Sequence, residues 1–317
     1  MKPKVLITGG TGFLGRGLAV ALREGHDVVL GGRNNKQNFL AEKLTGCKAL
    51  PLDVTNIESV RDAVVETRPD IIIHAAATKF VDLAERQPME CIDVNVLGSQ
   101  NVARVAVDRG VAMVVGVSTD KAAPPVRNIY GMSKAIMERI FCSMDAKTDT
   151  RFVCVRYGNV AWSTGSVLPI WNTMHSETGV IRSTGPEMTR FFFTVDDAVR
   201  LILTAMEDIE ELRGRTLSRH MKAALIRDIL EVWIAERGGR WERMEGRPGD
   251  RPYETLIGES ELEYTSEVRY DGLPHYVISF NERVPKPLRQ VVSSENAERL
   301  SREDIVQLIN DRPAEAA

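Results

Sequence analysis

At 317 residues the chain has room for one large domain or two modest ones. Its 43% hydrophobic and 27% charged residues are ordinary for a soluble globular protein that buries a sizeable core. A formal charge of −3 excludes any global attraction to nucleic acid or an anionic membrane, although a single cleft can still be basic.

The start, "MKPKVLITGGTGFLG", reaches turn glycines after only a few apolar residues, so no signal peptide is expected. In chain order, "KVLIT" (4–8), "DVVLG" (27–31), "KALPL" (48–52), "DIIIH" (70–74), "AMVVGVS" (112–118) and "RFVCVR" (151–156) read as strands. They are continuously apolar rather than alternating, as strands are when helices cover both faces of their sheet. Helical patterns fall between them at 13–24, 36–45, 57–67, 90–109 and 130–146, with Thr55-Asn56 as a cap for the third. This alternation predicts a doubly wound parallel sheet, an α/β fold.

After Tyr157 the rhythm breaks. "GNVAWSTGSVLPIW" and "RSTGPEMTRFF" are rich in Gly, Ser, Thr and Pro and read as contact-bearing loops. A helix is expected at 195–208, then short strands, a helix near 224–236 and a last helix at 301–310. The predicted division is a dinucleotide-binding part (1–157 and 191–208), a smaller C-terminal substrate lobe (158–190 and 209–310) and a tail (311–317). No apolar run approaches the roughly 20 residues of a membrane span. The four cysteines form no C-x-x-C and the five histidines no H-x-x-x-H, so reduced thiols, a cytoplasmic location and no metal site are expected.

"LITGGTGFLGRGLA" sets Gly9, Gly10, Gly12 and Gly15 between a strand and a helix. Without Cβ atoms, backbone amides at a helix N-terminus can approach a pyrophosphate, and the β-α-β context favours that over a merely tight turn. Thr11, Phe13 and Leu14 complete the turn. An NAD site usually has a carboxylate after the second strand; "VVLGGRNNKQ" instead offers Arg33, Asn34 and Lys36. A guanidinium fork suits a 2′-phosphate, so NADP is favoured over NAD, with a solvated loop arginine as the alternative. Asp53 and Val54 follow the third strand and Ala75, Ala76 and Ala77 the fourth, where adenine contacts or close backbone approach compete with a simple loop cap.

"VSTDKAAPPVRNIYGMSK" joins Ser118-Thr119, Asp120-Lys121 and Tyr130-x-x-x-Lys134. With TGGTGFLG and HAAA before it, the chain resembles the extended short-chain dehydrogenases/reductases, which have a Rossmann fold. The segments "HAAATKFVDLAERQPMECIDVNVLGSQNV", "VRYGNV…GSVLPIW", "PEMTRFFFTVDDAVRLIL" and "RPGDRPYETLIGESE" make it similar, from about residue 4 to 310, to the UDP-N-acetylglucosamine 4,6-dehydratases. The resemblance implies that Tyr130 takes the proton of the sugar C-4 hydroxyl, assisted by Lys134 and by Thr119 or Ser118. Bringing a tyrosine from about 10 to neutrality requires about 4 kcal/mol, supplied by nearby cations.

It further implies Lys121 as base at C-5 and Asp120 as acid at the C-6 hydroxyl, with hydride returned to C-6 and no net redox change. Those roles require the lysine pKa lowered and the aspartate pKa raised; a surface ion pair is the plain alternative. Lys79, Asn95, Tyr157, Asn159, Ser166, Val167, Glu187, Arg190, Arg247 and Glu254 match positions that contact cofactor or sugar nucleotide, each with a structural role as the alternative. Arg247 is the candidate for the diphosphate, and Asn95 for stabilising a helix bend. Relatives form symmetric oligomers, often hexamers, so a homo-oligomer is implied.

The chain departs from the family where relatives carry Ser-Arg-Gly, since it has Ser163-Thr164-Gly165, and again at "LSRHMKAA" (217–224). Arg219 or Lys222 is a candidate replacement for the lost cation. A sugar-nucleotide 4-epimerase needs the glycine turn, Tyr130 and Lys134 but has no use for Asp120-Lys121. A non-catalytic NADP-binding sensor has no reason to keep Thr119, Tyr130 and Lys134 together.

Overall fold

The computed structural model describes residues 2–246 and 250–313. Six parallel strands form its centre: β1 (Lys4–Thr8), β2 (Asp27–Gly32), β3 (Lys48–Pro51), β4 (Ile71–His74), β5 (Met113–Val117) and β6 (Arg151–Arg156). Their order, β3-β2-β1-β4-β5-β6, reverses direction between β1 and β4, which opens a crevice at the carboxyl ends of those strands. All five residues of β5 are buried, as expected of a strand covered on both faces.

The later strands are β7 (Asn159–Val160), β8 (Val180–Thr184), β9 (Thr189–Phe193), β10 (Thr216–Arg219), β11 (Ala223–Leu225), β12 (Arg240–Met244), β13 (Thr255–Ile257), β14 (Thr265–Tyr270), β15 (Leu273–Ile278) and β16 (Val292–Ser293). Three of them extend the central sheet beyond β6: β10 runs parallel to it, β15 runs antiparallel to β10, and β14 antiparallel to β15. Strands β7, β9 and β11 make a small sheet, and β13 pairs with β16.

Most helix positions follow the apolar periodicity. Asn56 caps Ile57–Thr67 by accepting from the amides of Glu58 and Ser59. Thr194 and Asp197 form a capping box that starts Val195–Glu207. The expected 90–109 helix is present as Pro88–Ile92 and Gly98–Asp108 joined by a π-helical turn, Asp93–Leu97. The loop expected at 158–171 is corrected in its second part: from Val167 the chain is a helix, Val167–Thr178, with Leu168 and Trp171 buried. Pro169 lies in its first turn, where no intrahelical N–H is lost. Among the described residues no helix is long and apolar enough to cross a membrane.

Two buried polar groups tie the layers together. Arg156, 1% exposed at the end of β6, bonds Glu138 on the helix Ile129–Asp145 and Glu261 in the turn Glu259–Tyr264. Nη2 lies 2.6 Å from Glu138 and 2.8 Å from Glu261. His74, fully buried at the end of β4, has Nδ1 2.8 Å from Thr8 Oγ1 and Nε2 3.0 Å from Ser99 Oγ. Burial and the nearby Lys134 ammonium hold its imidazole down to about 3 from 6.5.

The folded value lies below the unfolded one, so His74 supports folding above pH 6.5 and loses that support as pH falls towards 3. Its share of the slope is about 1.4 kcal/mol per pH unit. Urea denaturation between pH 7 and 4 should therefore show a shallower loss of stability for His74→Asn than for wild type; parallel profiles would refute this.

Candidate active site

The turn after β1 is built for close approach. Gly9 has φ +68, and a Cβ there would meet Ala76 Cα at 2.7 Å. A Cβ on Gly15 would meet Gly10 Cα at 2.4 Å, so the helix Phe13–Leu22 starts hard against the turn. Gly12 begins that helix with no side-chain cap, leaving the N-terminal amides to a ligand. They open onto a cleft of ≈ 810 Å³.

Of the turn residues, Gly9, Thr11, Gly12, Phe13, Leu14 and Gly15 line this cleft, as do Arg33, Val54, Ala75, Ala76, Ala77 and Lys79. Its far end holds Thr119, Lys121, Tyr130, Lys134, Tyr157, Asn159 and Ser166. Among the described residues, Ser118 Oγ and Ser166 Oγ are buried without a hydrogen-bond partner and face this space, as suits a polar ligand. Glycine cradle, open helix N-terminus and exposed Arg33 together fit a nicotinamide dinucleotide. Among the described residues no cluster of three or more His, Cys, Asp or Glu is placed to hold a metal ion.

Other predicted residues stand away from the wall. Asn34 uses its side-chain oxygen to cap the helix Asn35–Thr45, accepting from Lys36 and Gln37 amides, while the Lys36 side chain is exposed. Asp53 folds back on Thr55, accepting from its amide and hydroxyl, so Leu52 and Val54 rather than Asp53 meet the cleft. Asn95 sits in the π-helical turn and bonds both the N–H and C=O of Thr78, as well as Ser133 Oγ. It shapes the cleft from behind, at the helix bend. Val167 packs on the core, and Glu187 is exposed and paired with Arg243 at 2.5 Å. Arg247 lies outside the described residues.

The unusual segments separate in space. Ser163, Thr164 and Gly165 are on the cleft wall, with Gly165 against the Phe80 ring. Arg219 is paired with Asp197 and lies over Phe193, and Lys222 is paired with Glu298 and Asp304. Both line a different cavity, of ≈ 750 Å³, so neither restores a cation near Thr164.

Tyr130 and Lys134 stand one turn apart on a helix capped by Asn128, whose Oδ1 accepts from the Gly131 amide. The Lys134 ammonium donates to Val117 O at 2.7 Å, and burial brings it down to about 8. Tyr130 is pushed up to about 12: burial outweighs the pull of the Lys121 charge and of the Thr119 hydroxyl. These are the values of the protein without its cofactor, in which the Lys134 ammonium donates to β5 and no nicotinamide charge acts on Tyr130. Tyr157, stacked on Phe193 with centroids 5.8 Å apart, is also raised by burial.

Asp120 and Lys121 are drawn together rather than apart. Lys121 Nζ donates to Asp120 Oδ1 at 3.0 Å and lies 3.4 Å from Asn159 Oδ1. Asp120 is fully buried and also accepts from Thr119 Oγ1. A Cβ on Gly158 would come within 3.2 Å of its other oxygen, so glycine makes the room. Glu254 and Arg190 join the pair from distant segments, with Glu254 Oε1 3.6 Å from Lys121 Nζ and 3.8 Å from Arg190 Nε.

Burial raises the Asp120 pKa, Lys121 opposes and Glu254 adds to the rise, the direction an acid requires. Lys121 moves the other way from a base's needs. Burial would lower it, but the Asp120 and Glu254 carboxylates outweigh burial and Arg190, so its pKa goes up. The reading by adjacency overlooked Glu254 as an electrostatic partner because it lies more than a hundred residues away. It also overlooked Gly32, Phe80, Gln87 and Glu90 on the cleft wall; only the small Gly31-Gly32 pair carried any local signal.

The family described as polysaccharide biosynthesis protein matches residues 5–271. A UDP-N-acetylglucosamine 4,6-dehydratase (inverting) of Campylobacter jejuni is 35% identical over 88% of this chain and 83% of its own. A UDP-glucose 4-epimerase of Rickettsia bellii is 31% identical over 96% of this chain and 94% of its own. The X-ray structure of Pen from Bacillus thuringiensis superposes with a TM-score of 0.90 at 29% identity, covering 98% of both chains. The chain is a member of the polysaccharide biosynthesis protein family, an extended short-chain dehydrogenase/reductase of the UDP-N-acetylglucosamine 4,6-dehydratase type.

Proposed function

We propose that the protein is an NADP-dependent sugar-nucleotide 4,6-dehydratase acting on UDP-N-acetylglucosamine. The observation that carries this reading is the buried Asp120-Lys121 hydrogen bond at the end of the cleft that holds Tyr130. Elimination of water needs a neutral amine to take the C-5 proton and a neutral acid to release the C-6 hydroxyl. Moving the shared proton across the 3.0 Å contact, from Nζ to Oδ1, produces both at once. Burial assists, since it penalises both charged forms.

NADP+, when bound, would supply the acceptor for the C-4 hydride and the same hydride for C-6. The chain's own groups do the rest. Tyr130 accepts the C-4 hydroxyl proton, the cofactor's positive charge adding to the downward pull of Lys121 and the Thr119 hydroxyl against burial. The C-4 ketone then acidifies C-5. Lys79, Asn159 and Ser166, all on the cleft wall, support a sugar-nucleotide site there. Arg33, without a carboxylate at the end of β2, supports NADP over NAD. Exposed Met89, Ile92, Met132 and Ile136, on two helices that pack together, support self-association.

The epimerase reading has the rickettsial relatives in its favour. It leaves the buried pair without a task. A non-catalytic sensor leaves Tyr130 and Lys134 without one as well.

Two experiments follow. Titration calorimetry should show Arg33→Ala losing about 10- to 100-fold in NADP+ affinity, the value of charge-assisted bonds to a phosphate, with NAD+ affinity unchanged. Equal losses for both would overturn the NADP assignment. With UDP-N-acetylglucosamine, Asp120→Asn and Lys121→Met should lose about 10²–10⁴-fold in dehydration while still oxidising C-4, seen as absorbance of reduced cofactor. Variants that dehydrate at wild-type rates would overturn the role of the pair.

A further inference from the structure

Glu254 occupies an unusual position for a carboxylate. It is 4% exposed, and Oε2 has no hydrogen-bond partner among the described residues. Oε1 meets Lys121 and Arg190 at 3.6 and 3.8 Å, ionic contacts longer than hydrogen bonds.

Its backbone is held firmly. The Glu254 amide donates to Ser294 Oγ at 2.9 Å, and its carbonyl accepts from the Ser294 amide at 2.8 Å. The Ser294 hydroxyl also donates to Thr189 O at 2.9 Å, and the Thr189 amide donates to Pro252 O at 2.8 Å. A single buried serine thus fixes Glu254 and the start of β9, which carries Arg190. On the other side Arg251 Nη2 donates to Pro125 O, tying the segment to the loop that follows Lys121.

We propose that Glu254 is a positioning residue acting through Lys121, holding the ammonium against Asp120 and setting how that pair shares its proton. The elimination it serves rests on the dehydratase reading; the charge arrangement does not. The groups facing Lys121 are Asp120 beside it, Glu254 from the segment before β13, Arg190 from β9 and Tyr130 from the helix Ile129–Asp145. Arg251 in turn faces Glu254 and Asp120.

Neutralising Glu254 takes a negative neighbour from both Lys121 and Asp120. Each then releases its proton at lower pH, so both limbs of the pH–rate bell move to the acid side together; they report the coupled pair. A residue that merely grips substrate would raise KM and leave the limbs in place. One that merely supports the fold would lower Tm without moving them.

The test uses full-length wild type, Glu254→Gln and Glu254→Asp, with the Lys121 side chain followed by ¹³C NMR of labelled lysine and assigned through Lys121→Arg. The Lys121 titration should fall by about one pH unit or more in Glu254→Gln. Both rate limbs should shift the same way, and Glu254→Asp should recover part of the shift. An unmoved titration, with or without a higher KM, would overturn the proposal. If Glu254→Gln fails to melt cooperatively, Ser294→Ala, which loosens the tether but keeps the charge, should still move the titration, and no movement would be decisive against it. Product mass from the wild type is read alongside: a wild type that never loses water would sink the dehydratase reading, while the NMR titration would still decide the role of Glu254.

Discussion

The molecule is organised around the buried guanidinium of Arg156. It is the point where β6, the helix bearing Tyr130 and Lys134, and the C-terminal turn Glu259–Tyr264 meet, with a carboxylate from each of the last two. Burying such ions costs several kcal/mol each, recovered only when every donor is satisfied in good geometry. Here Nη1 also bonds Leu256 O on β13, next to the segment that carries Glu254. The constraint is therefore one of register: it sets the helix bearing Tyr130 and Lys134 and the Glu254 segment in fixed positions relative to the sheet.

From that register follows a second cluster in which two carboxylates, Asp120 and Glu254, balance two cations, Lys121 and Arg190. In isolation, burial would neutralise a lysine. In this company the two carboxylates outweigh burial and favour the charged form, and the proposed elimination would reach the neutral form by passing a proton to Asp120. The same burial raises Tyr130, so Lys121 and Tyr130 are both shifted towards holding their protons. In the proposed reaction, cofactor charge and substrate would turn this arrangement into one acid and two bases.

The first six strands were legible because a strand buried on both faces reads as an unbroken apolar run, and β5 is one such strand. The glycine turn was legible because only residues without Cβ allow the approaches seen at Gly9 and Gly15. What lay hidden depends on distant pairing. The antiparallel strands β15 and β14 join the central sheet through partners that no local pattern names. The helix Val167–Thr178 was masked by the Gly, Ser and Pro residues around its start. Arg156 looked like the polar end of a strand, and the rise of the Lys121 pKa depends on residues brought in from β9 and from the segment before β13. Adjacent charges can be read from a sequence; the charges that fold onto them cannot.

The most direct measurement is the product formed by the wild-type protein from UDP-N-acetylglucosamine and NADP+ in D2O, followed by mass spectrometry and proton NMR. A product lighter by one water, with a C-6 methyl group, a C-4 ketone and deuterium taken up at C-5, is what a site with an acid–base pair beside Tyr130 should yield. A product of unchanged mass with only C-4 inverted would contradict it and reduce Asp120 and Lys121 to a structural ion pair.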